Sequence, residues 1–214
     1  MKKIYLIMAL VCMIMVSCKP DGGDGRDEGH VYVDLGLSVK WATCNVGASS
    51  PEEYGDYFAC GETTTKAEYT SDNCPTYGLT ISQLQSQGYI DNNGNLTAQH
   101  DAATVNWGGD WRMPTKAEQQ ELINNCIWTW TMQNGVNGYK VEGPNGNSIF
   151  LPAAGYRNGS SLDVAGSYGY YWSSTPNDSY GVDFYACNLF FNSDFHRMNV
   201  NNRYLGLSVR PILE

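Results

Sequence analysis

The sequence predicts an α+β domain assembled from short antiparallel strands, with one or two helices and many loops. Three observations predict it. Gly contributes 23 residues and Tyr 15, a composition of turns and strands rather than of a helical bundle. Apolar residues alternate in short runs that Gly, Pro and Asn interrupt. Two segments carry the side-chain signals of a helix start. The 214 residues suffice for one domain with a real core. The net charge of −9 argues against a nucleic-acid partner, which would need clustered Lys and Arg; solubility accounts for the acidity.

At the N-terminus, Lys2 and Lys3 precede an apolar run, Ile4 to Val16, that is too short to span a bilayer. That is the pattern of a secretory signal over residues 1–17. The run closes in Met15-Val16-Ser17-Cys18, which resembles the lipobox of bacterial lipoproteins. The resemblance implies acylation of Cys18 and a membrane partner through that lipid; an ordinary cleavable signal with an incidental Cys is the competing reading. Residues 18–29 hold no apolar anchor and read as a flexible acidic tether. An acidic run in this place resembles the surface-export signals of Bacteroidetes lipoproteins, which implies an outer-membrane or cell-surface location.

The domain is expected over 30–214. Val31, Val33 and Leu35 alternate, Gly36 breaks the run, and Leu37, Val39 and Trp41 alternate again, giving two short strands or one bulged strand. Gly36-Leu-Ser-Val-Lys40 nearly repeats as Gly206-Leu-Ser-Val-Arg210, so the first and last strands are expected side by side in one sheet. Tyr54 to Glu62 reads as a strand-like piece. Thr80 with Gln83 forms a capping box and Gly88 a stop, predicting a helix over Leu79 to Gly88. Asp91 to Asn95 is a turn. Thr115 with Glu118 caps the strongest helix, Lys116 to Asn125. Trp128 and Trp130 alternate in a following strand, with both assigned to the core. Tyr139 to Val141, the turn Gly143-Pro-Asn-Gly146 and Ile149 to Pro152 form a hairpin.

Tyr168 to Ile212 is crowded with Tyr, Phe, Asn, Asp and Ser, the residues that recognition surfaces use. From Ser173 to Leu213 there is no Lys, Glu, Gln or Trp. Tyr171-Trp-Ser-Ser174 and Ser208-Val-Arg-Pro211 read as frame around an irregular middle. Within it, Tyr185, Cys187, Leu189 and Phe191 share one strand face. Phe184, Ala186, Asn188 and Phe190 share the other, with Val182. Which face is core stays open at this level.

The order VDLGLSVKWA, YGDYFACGET, WRMPTKAEQQEL, GYRNG, YYWSST and GLSVRPI resembles the Fibrobacter succinogenes major paralogous domain, a family of secreted Bacteroidetes lipoprotein domains. The resemblance covers about Val31 to Leu213. It implies a C-type-lectin-like fold with two small sheets, one or two helices and paired terminal strands. Cys60 stands where Trp is expected in such sequences. The irregular middle also resembles the variable region of proteins diversified by retroelements, in which template adenines are randomised. An Asn codon randomised at both adenines yields Phe, Tyr, Cys, Leu, His, Arg, Asp, Val, Ser or Gly, and not Lys, Glu, Gln, Trp or Met. Met198 is the exception in the window. Mild depletion of long polar residues in strands is the competing explanation.

Catalytic chemistry finds little support. Of the seven cysteines, Cys44, Cys60, Cys74, Cys126 and Cys187 follow Cys18, and none is spaced as C-x-x-C. An odd number leaves one thiol over, and Cys44–Cys126 is the pairing expected if any forms. His30, His100 and His196 are scattered, and solvent or tether positions are expected for the first two. Glu142-Gly-Pro-Asn145 has the composition of a calcium-lectin loop but reads better as a hairpin turn. Neither metal nor cofactor is called for. The expected function is that of a displayed binding module whose variable surface spans 173–207. Its contacts are expected among Phe184, Tyr185, Asn188, Phe190, Asp194, Phe195, His196, Arg197, Asn199, Asn201, Tyr204 and Leu205. A structural or adhesin-like surface domain is the alternative, and an enzyme of the formylglycine-generating type the second.

Cys18→Ala is expected to abolish metabolic labelling of the protein by a fatty acid. A wild-type protein found correctly cleaved but unacylated by mass spectrometry would refute the anchor.

Overall fold

The computed structural model describes residues 24–177 and 183–214. The leader at 1–17, Cys18, the first part of the tether and Val182 lie outside the described residues. The strands are β1 (Asp24–Asp27), β2 (His30–Val33), β3 (Lys40–Ala42), β4 (Ile127–Gln133), β5 (Val136–Glu142), β6 (Ser148–Pro152), β7 (Tyr156–Asn158), β8 (Ser161–Asp163), β9 (Gly169–Pro176), β10 (Tyr185–Phe191), β11 (His196–Asn202) and β12 (Ile212–Leu213). The helices are α1 (Ile81–Ser86), α2 (Ala102–Trp107) and α3 (Lys116–Asn125). The molecule is thus α+β, with short antiparallel sheets. They run β1-β2-β3-β12, β4-β5-β6 and β11-β10-β9, with β7-β8 a separate hairpin.

Helices begin where side-chain oxygens can replace the missing carbonyl acceptors of the first turn. Thr80 Oγ1 accepts from Gln83 N at 3.1 Å and Gln83 answers to Thr80 N at 2.9 Å. Gly88 follows with φ of 80°, the left-handed stop. Thr115 and Glu118 repeat the box at α3. Helix α2, unanticipated from the sequence, is capped by Asp101, whose Oδ1 accepts from Thr104 N at 3.0 Å while Oδ2 accepts from Met113 N at 2.8 Å.

The strand at Trp41, β3, does meet the last strand, β12: Ile212 pairs with Trp41 and Leu213 with Lys40. The hairpin of β5 and β6 closes through Gly143 N to Asn147 O at 2.8 Å, and Asn145 and Asn147 both donate to Asp34 O. Glu142 to Asn145 is therefore turn and packing surface for the β2–β3 link.

Two large apolar clusters fill most of the interior, with smaller ones around Tyr57 and Tyr69 and around Trp111. One gathers Trp41, Leu122, Tyr139, Leu151, Tyr171, Leu189, Phe191 and Ile212. The other gathers Phe58, Leu84, Met113, Trp172, Ala186, Leu205, Leu207 and Val209. Neighbouring Tyr171 and Trp172 point to opposite clusters, as strand alternation requires, so the β9–β11 sheet is covered on both faces at its centre. Gly169 permits this: a Cβ there would lie 2.0 Å from the Phe191 ring. Several buried polar groups of the large rings are tied in. Trp172 Nε1 donates to Phe58 O at 2.8 Å, Trp111 Nε1 to Asp27 O at 3.2 Å and Tyr171 Oη to Pro152 O at 2.7 Å.

Several expectations need correction. Asp24 to Asp27 is not tether but β1, paired residue by residue with β2; backbone hydrogen bonds suffice where side chains offer no anchor. Tyr54 to Glu62 is loop with one bridge, Phe58 to Leu207. His30 is not in a tether but opens β2, half-buried, with its ring stacked on Trp107 at 3.7 Å and 3°. His100 is half-buried, with its ring tilted against Tyr89 at 4.2 Å. Trp128 and Trp130 are half-buried against the first cluster rather than inside it. Cys44 and Cys126 do not pair, because Cys126 packs on the first cluster while Cys44 sits beside Thr43 and the Arg210 guanidinium.

Trp111→Ala and Trp172→Ala are each expected to lower unfolding free energy by about 3–5 kcal/mol, the cost of a large core deletion. Chemical denaturation measures it, and a variant as stable as wild type would remove that ring from the core.

Candidate ligand-binding face

The site is built on the hairpin of β10 and β11. Their register runs unbroken from Tyr185 opposite Asn202 to Phe191 opposite His196. The connecting loop is held by Asn192, whose side-chain oxygen accepts from Asp194 N at 2.9 Å and Phe195 N at 3.1 Å. On the other side, β9 pairs with β10, with a register shift between Ala186 and Asn188. Strand β10 is therefore central and β11 an edge.

Alternation along β11 splits its side chains. His196 stacks on Trp128 at 4.4 Å and 9° and meets Tyr139 edge-on at 5.7 Å. Arg197, Asn199 and Asn201 take the other face, in register with Phe190, Asn188 and Ala186. This face carries aromatic rings in continuous contact. Tyr156 meets Tyr170 at 5.2 Å, Tyr170 meets Phe190 at 4.8 Å, Tyr168 stacks on Phe190 at 5.8 Å and Phe195 meets Phe190 at 5.6 Å. The Arg197 guanidinium lies over Phe190 at 5.7 Å and Phe195 at 5.1 Å. A second group joins Phe184, Tyr77 and Tyr204, with ring centroids 4.9 and 5.3 Å apart. Arg203, fully buried, pins the strand end: Nη1 donates to Thr76 O at 2.9 Å and Leu79 O at 2.7 Å, and Nε to Tyr185 O at 3.0 Å.

The twelve expected contact residues divide accordingly. Phe184 and Phe195 are 40% and 41% exposed, large for aromatic side chains. Asp194 and Arg197 are also exposed, and Tyr185, His196, Asn199, Asn201 and Tyr204 are half-buried. Asn188, at 0% exposure, and Leu205 are taken out of the surface. Phe190, at 7%, forms the floor beneath Tyr168, Tyr170, Phe195 and Arg197 rather than the contact layer. The physical reason is that β10 is flanked by strands on both sides and covered on both faces. His196 points away from the Arg197 face. Tyr77 and Tyr156 lie outside the stretch that the sequence singles out; Tyr168 and Tyr170 lie inside it but not among the twelve, although their alternation across Gly169 was the available signal.

Burial tunes the titratable groups. The Tyr170 phenol is pushed up to about 12, first by burial and then by Tyr156 and Tyr168. Tyr77 and Tyr156 are raised, again chiefly by burial. These phenols stay neutral and offer O–H donors at physiological pH. Two clefts lie elsewhere: one of about 540 Å³ between Arg26, Tyr32, Lys40, Arg112 and Glu214, another of about 370 Å³ between Asp56, Tyr57, Lys66 and Arg157. Among the described residues, no three His, Cys, Asp or Glu side chains converge as a metal site.

Burial lowers the His196 pKa below its ordinary value of 6.5. A folded pKa below the unfolded one means that the unfolded chain binds the proton more readily. The stacked neutral imidazole thus contributes fully above the unfolded value and loses its contribution as pH falls toward the folded one. His196→Phe keeps the stacking area without the proton site. Its unfolding free energy should fall less than that of wild type between about pH 7 and about pH 5, as denaturant titrations at each pH will measure; an unchanged slope would refute it.

A family model, a domain of unknown function (DUF8237), matches residues 117–212, which span α3 through the start of β12 and contain the whole β9–β11 sheet. No curated protein and no solved structure matches the chain.

Proposed function

We propose that this chain is a surface-displayed lipoprotein whose domain recognises an extracellular ligand through the face formed by β11 and the aromatic rings beside it. The observation that carries the reading is the row of Arg197, Asn199 and Asn201 on an edge strand, next to the exposed Phe195 ring and the tyrosines of β9. Phe and Tyr supply contact area at low rotamer-entropy cost, and Asn supplies adaptable hydrogen bonds. A few such rings usually dominate affinity. In this proposal the domain is a C-type-lectin-like member of the Fibrobacter succinogenes major paralogous domain family. Its ligand residues are those that a randomised Asn codon can encode. A reverse-transcriptase gene and a near-copy of the 3′ segment, differing mainly at adenines, are what diversification requires beside the coding sequence.

A structural or adhesin-like domain is the second reading, favoured by the burial of Asn188, Phe190 and Leu205. The formylglycine-generating type of enzyme is the third. Against it, burial pushes the Cys60 thiol up to about 12 and that of Cys126 up to about 11, which keeps both protonated and poorly nucleophilic at neutral pH.

The combined variant Phe184→Ser, Phe195→Ser, Arg197→Ser and Asn199→Ala is expected to lose binding to whichever of a panel of immobilised glycans, peptides and phage particles the wild type retains. Its melting should change little, since exposed substitutions typically cost within about 0.5 kcal/mol each. Unfolding of this variant would make the rings structural and favour the second reading.

A further inference from the structure

The hydrogen-bond register of β11 identifies a second feature of the same strand. In an antiparallel pair, alternate residues exchange both backbone bonds with the neighbour, and those between turn their N–H and C=O to the other side. Asn192 N donates to Phe195 O at 3.0 Å and Arg203 N donates to Phe184 O at 2.8 Å. With the unbroken register between them, the bonded pairs are Phe190 with Arg197, Asn188 with Asn199, and Ala186 with Asn201. His196, Met198 and Val200 therefore aim their N–H and C=O groups away from β10. Among the described residues no strand pairs with that edge. Asn202, next in the series, already gives its carbonyl to Leu205 N at 3.0 Å.

Natural sheets usually blunt such an edge with Pro, inward charges or a covering loop. Strand β11 has no Pro, its one charged residue is Arg197, and its residues are half-buried or exposed; α3 approaches it, packing through Leu122 on the sheet face that carries Tyr171 and Leu189. We propose that this edge docks an extended peptide as a further strand, antiparallel or parallel to β11, with one carboxylate side chain set beside Arg197. The inference rests on the binding-module reading and names the ligand class for it. Three donors and three acceptors in one line, repeating about every 6.8 Å, match a polypeptide backbone; a glycan has no such repeat. The side chains of an added strand fall alternately beside Arg197 and Asn199 on one face and beside Met198 and Val200 on the other, which selects a polar–apolar alternation. The Arg197 guanidinium is held over two rings and forms no ion pair among the described residues, so it is available to a carboxylate. With a net charge of −9 on the chain, a peptide with one acidic residue fits better than a polyacidic one.

Panning a phage-displayed library of random peptides on the full chain tests this. Enriched peptides are expected to alternate polar and apolar residues around one Asp or Glu. Met198→Pro removes an outward N–H that no bond to β10 uses, and an edge strand tolerates Pro at such a position. It should weaken a synthetic enriched peptide about tenfold or more by fluorescence anisotropy, with the wild-type melting curve kept. Should that variant fold poorly, methylating single backbone nitrogens of the peptide gives the same readout, with loss at alternate positions only. Arg197→Ala should abolish the preference for the acidic residue. Equal binding to wild type and Met198→Pro, insensitivity to backbone methylation, or no enriched peptide would each overturn the proposal. So would a dimer of the wild type that Met198→Pro dissolves, since the edge would then take a second copy of this chain. The two readings fail separately: a ligand lost in the aromatic-face variant but kept in Met198→Pro leaves the binding module standing and removes the strand.

Discussion

Arg210 holds the two ends of the domain together. It is fully buried and forms no ion pair with a carboxylate among the described residues. Its Nε donates to Asn45 Oδ1 at 2.9 Å, Nη1 to Ala42 O at 3.0 Å and Thr43 O at 2.7 Å, and Nη2 to Phe150 O at 2.9 Å. Placing a charge in the interior is costly unless every donor is met. Here three separate parts of the chain accept four hydrogen bonds from it: the end of β3, the loop beyond it, and β6. The guanidinium thereby fixes the last segment of the chain, which in turn fixes Leu207 and Val209 against Trp172 in the second cluster. Removing the side chain would leave an oxygen of Asn45 and three carbonyls facing an apolar space, a far larger penalty than the loss of one surface bond.

That anchoring explains how a surface of unusual composition can coexist with a defined fold. The β9–β11 sheet rests on the first cluster through Tyr171, Leu189 and Phe191, and on the second through Trp172 and Ala186. Its rigidity comes from these inward residues and from backbone pairing. The side chains of Arg197 and Asn199, on the edge strand, belong to neither cluster, so their chemistry can vary without disturbing the core. Loops and edges carry function for the same reason in many folds.

Much of the fold was legible because the signals were local. Thr80 with Gln83 and Thr115 with Glu118 announce their helices within four residues. The near-repeat of Gly36 to Lys40 at Gly206 to Arg210 points to neighbouring strands, and the residues that pair lie at or just beyond its ends, Lys40 and Trp41 with Leu213 and Ile212. Asp101 caps α2 without an acid or amide at the third position, and so gave no box to read. Strand β1 pairs through its backbone, which no pattern of side chains reveals. In the site, Phe195, Arg197 and Asn199 were legible as polar–aromatic surface. Phe190 and Asn188 were not, because composition cannot distinguish a ring on a central strand covered on both faces from a ring on an open one; the distinction depends on Leu205 to Val209 and on α3, distant elements that happen to cover it.

The pairing of β3 with β12 also governs how the domain can form. Lys40 and Leu213 are partners, as are Asn45 and Arg210, contacts that join opposite ends of the chain. Loop closure over such separations is slow, and high contact order is the mark of slow-folding topologies. During synthesis, neither cluster can be completed until Leu207, Val209 and Ile212 have been made. The local meanders β4-β5-β6 and β9-β10-β11 need no residue of the last strand to pair, but the packing between them is completed only when that strand is in place.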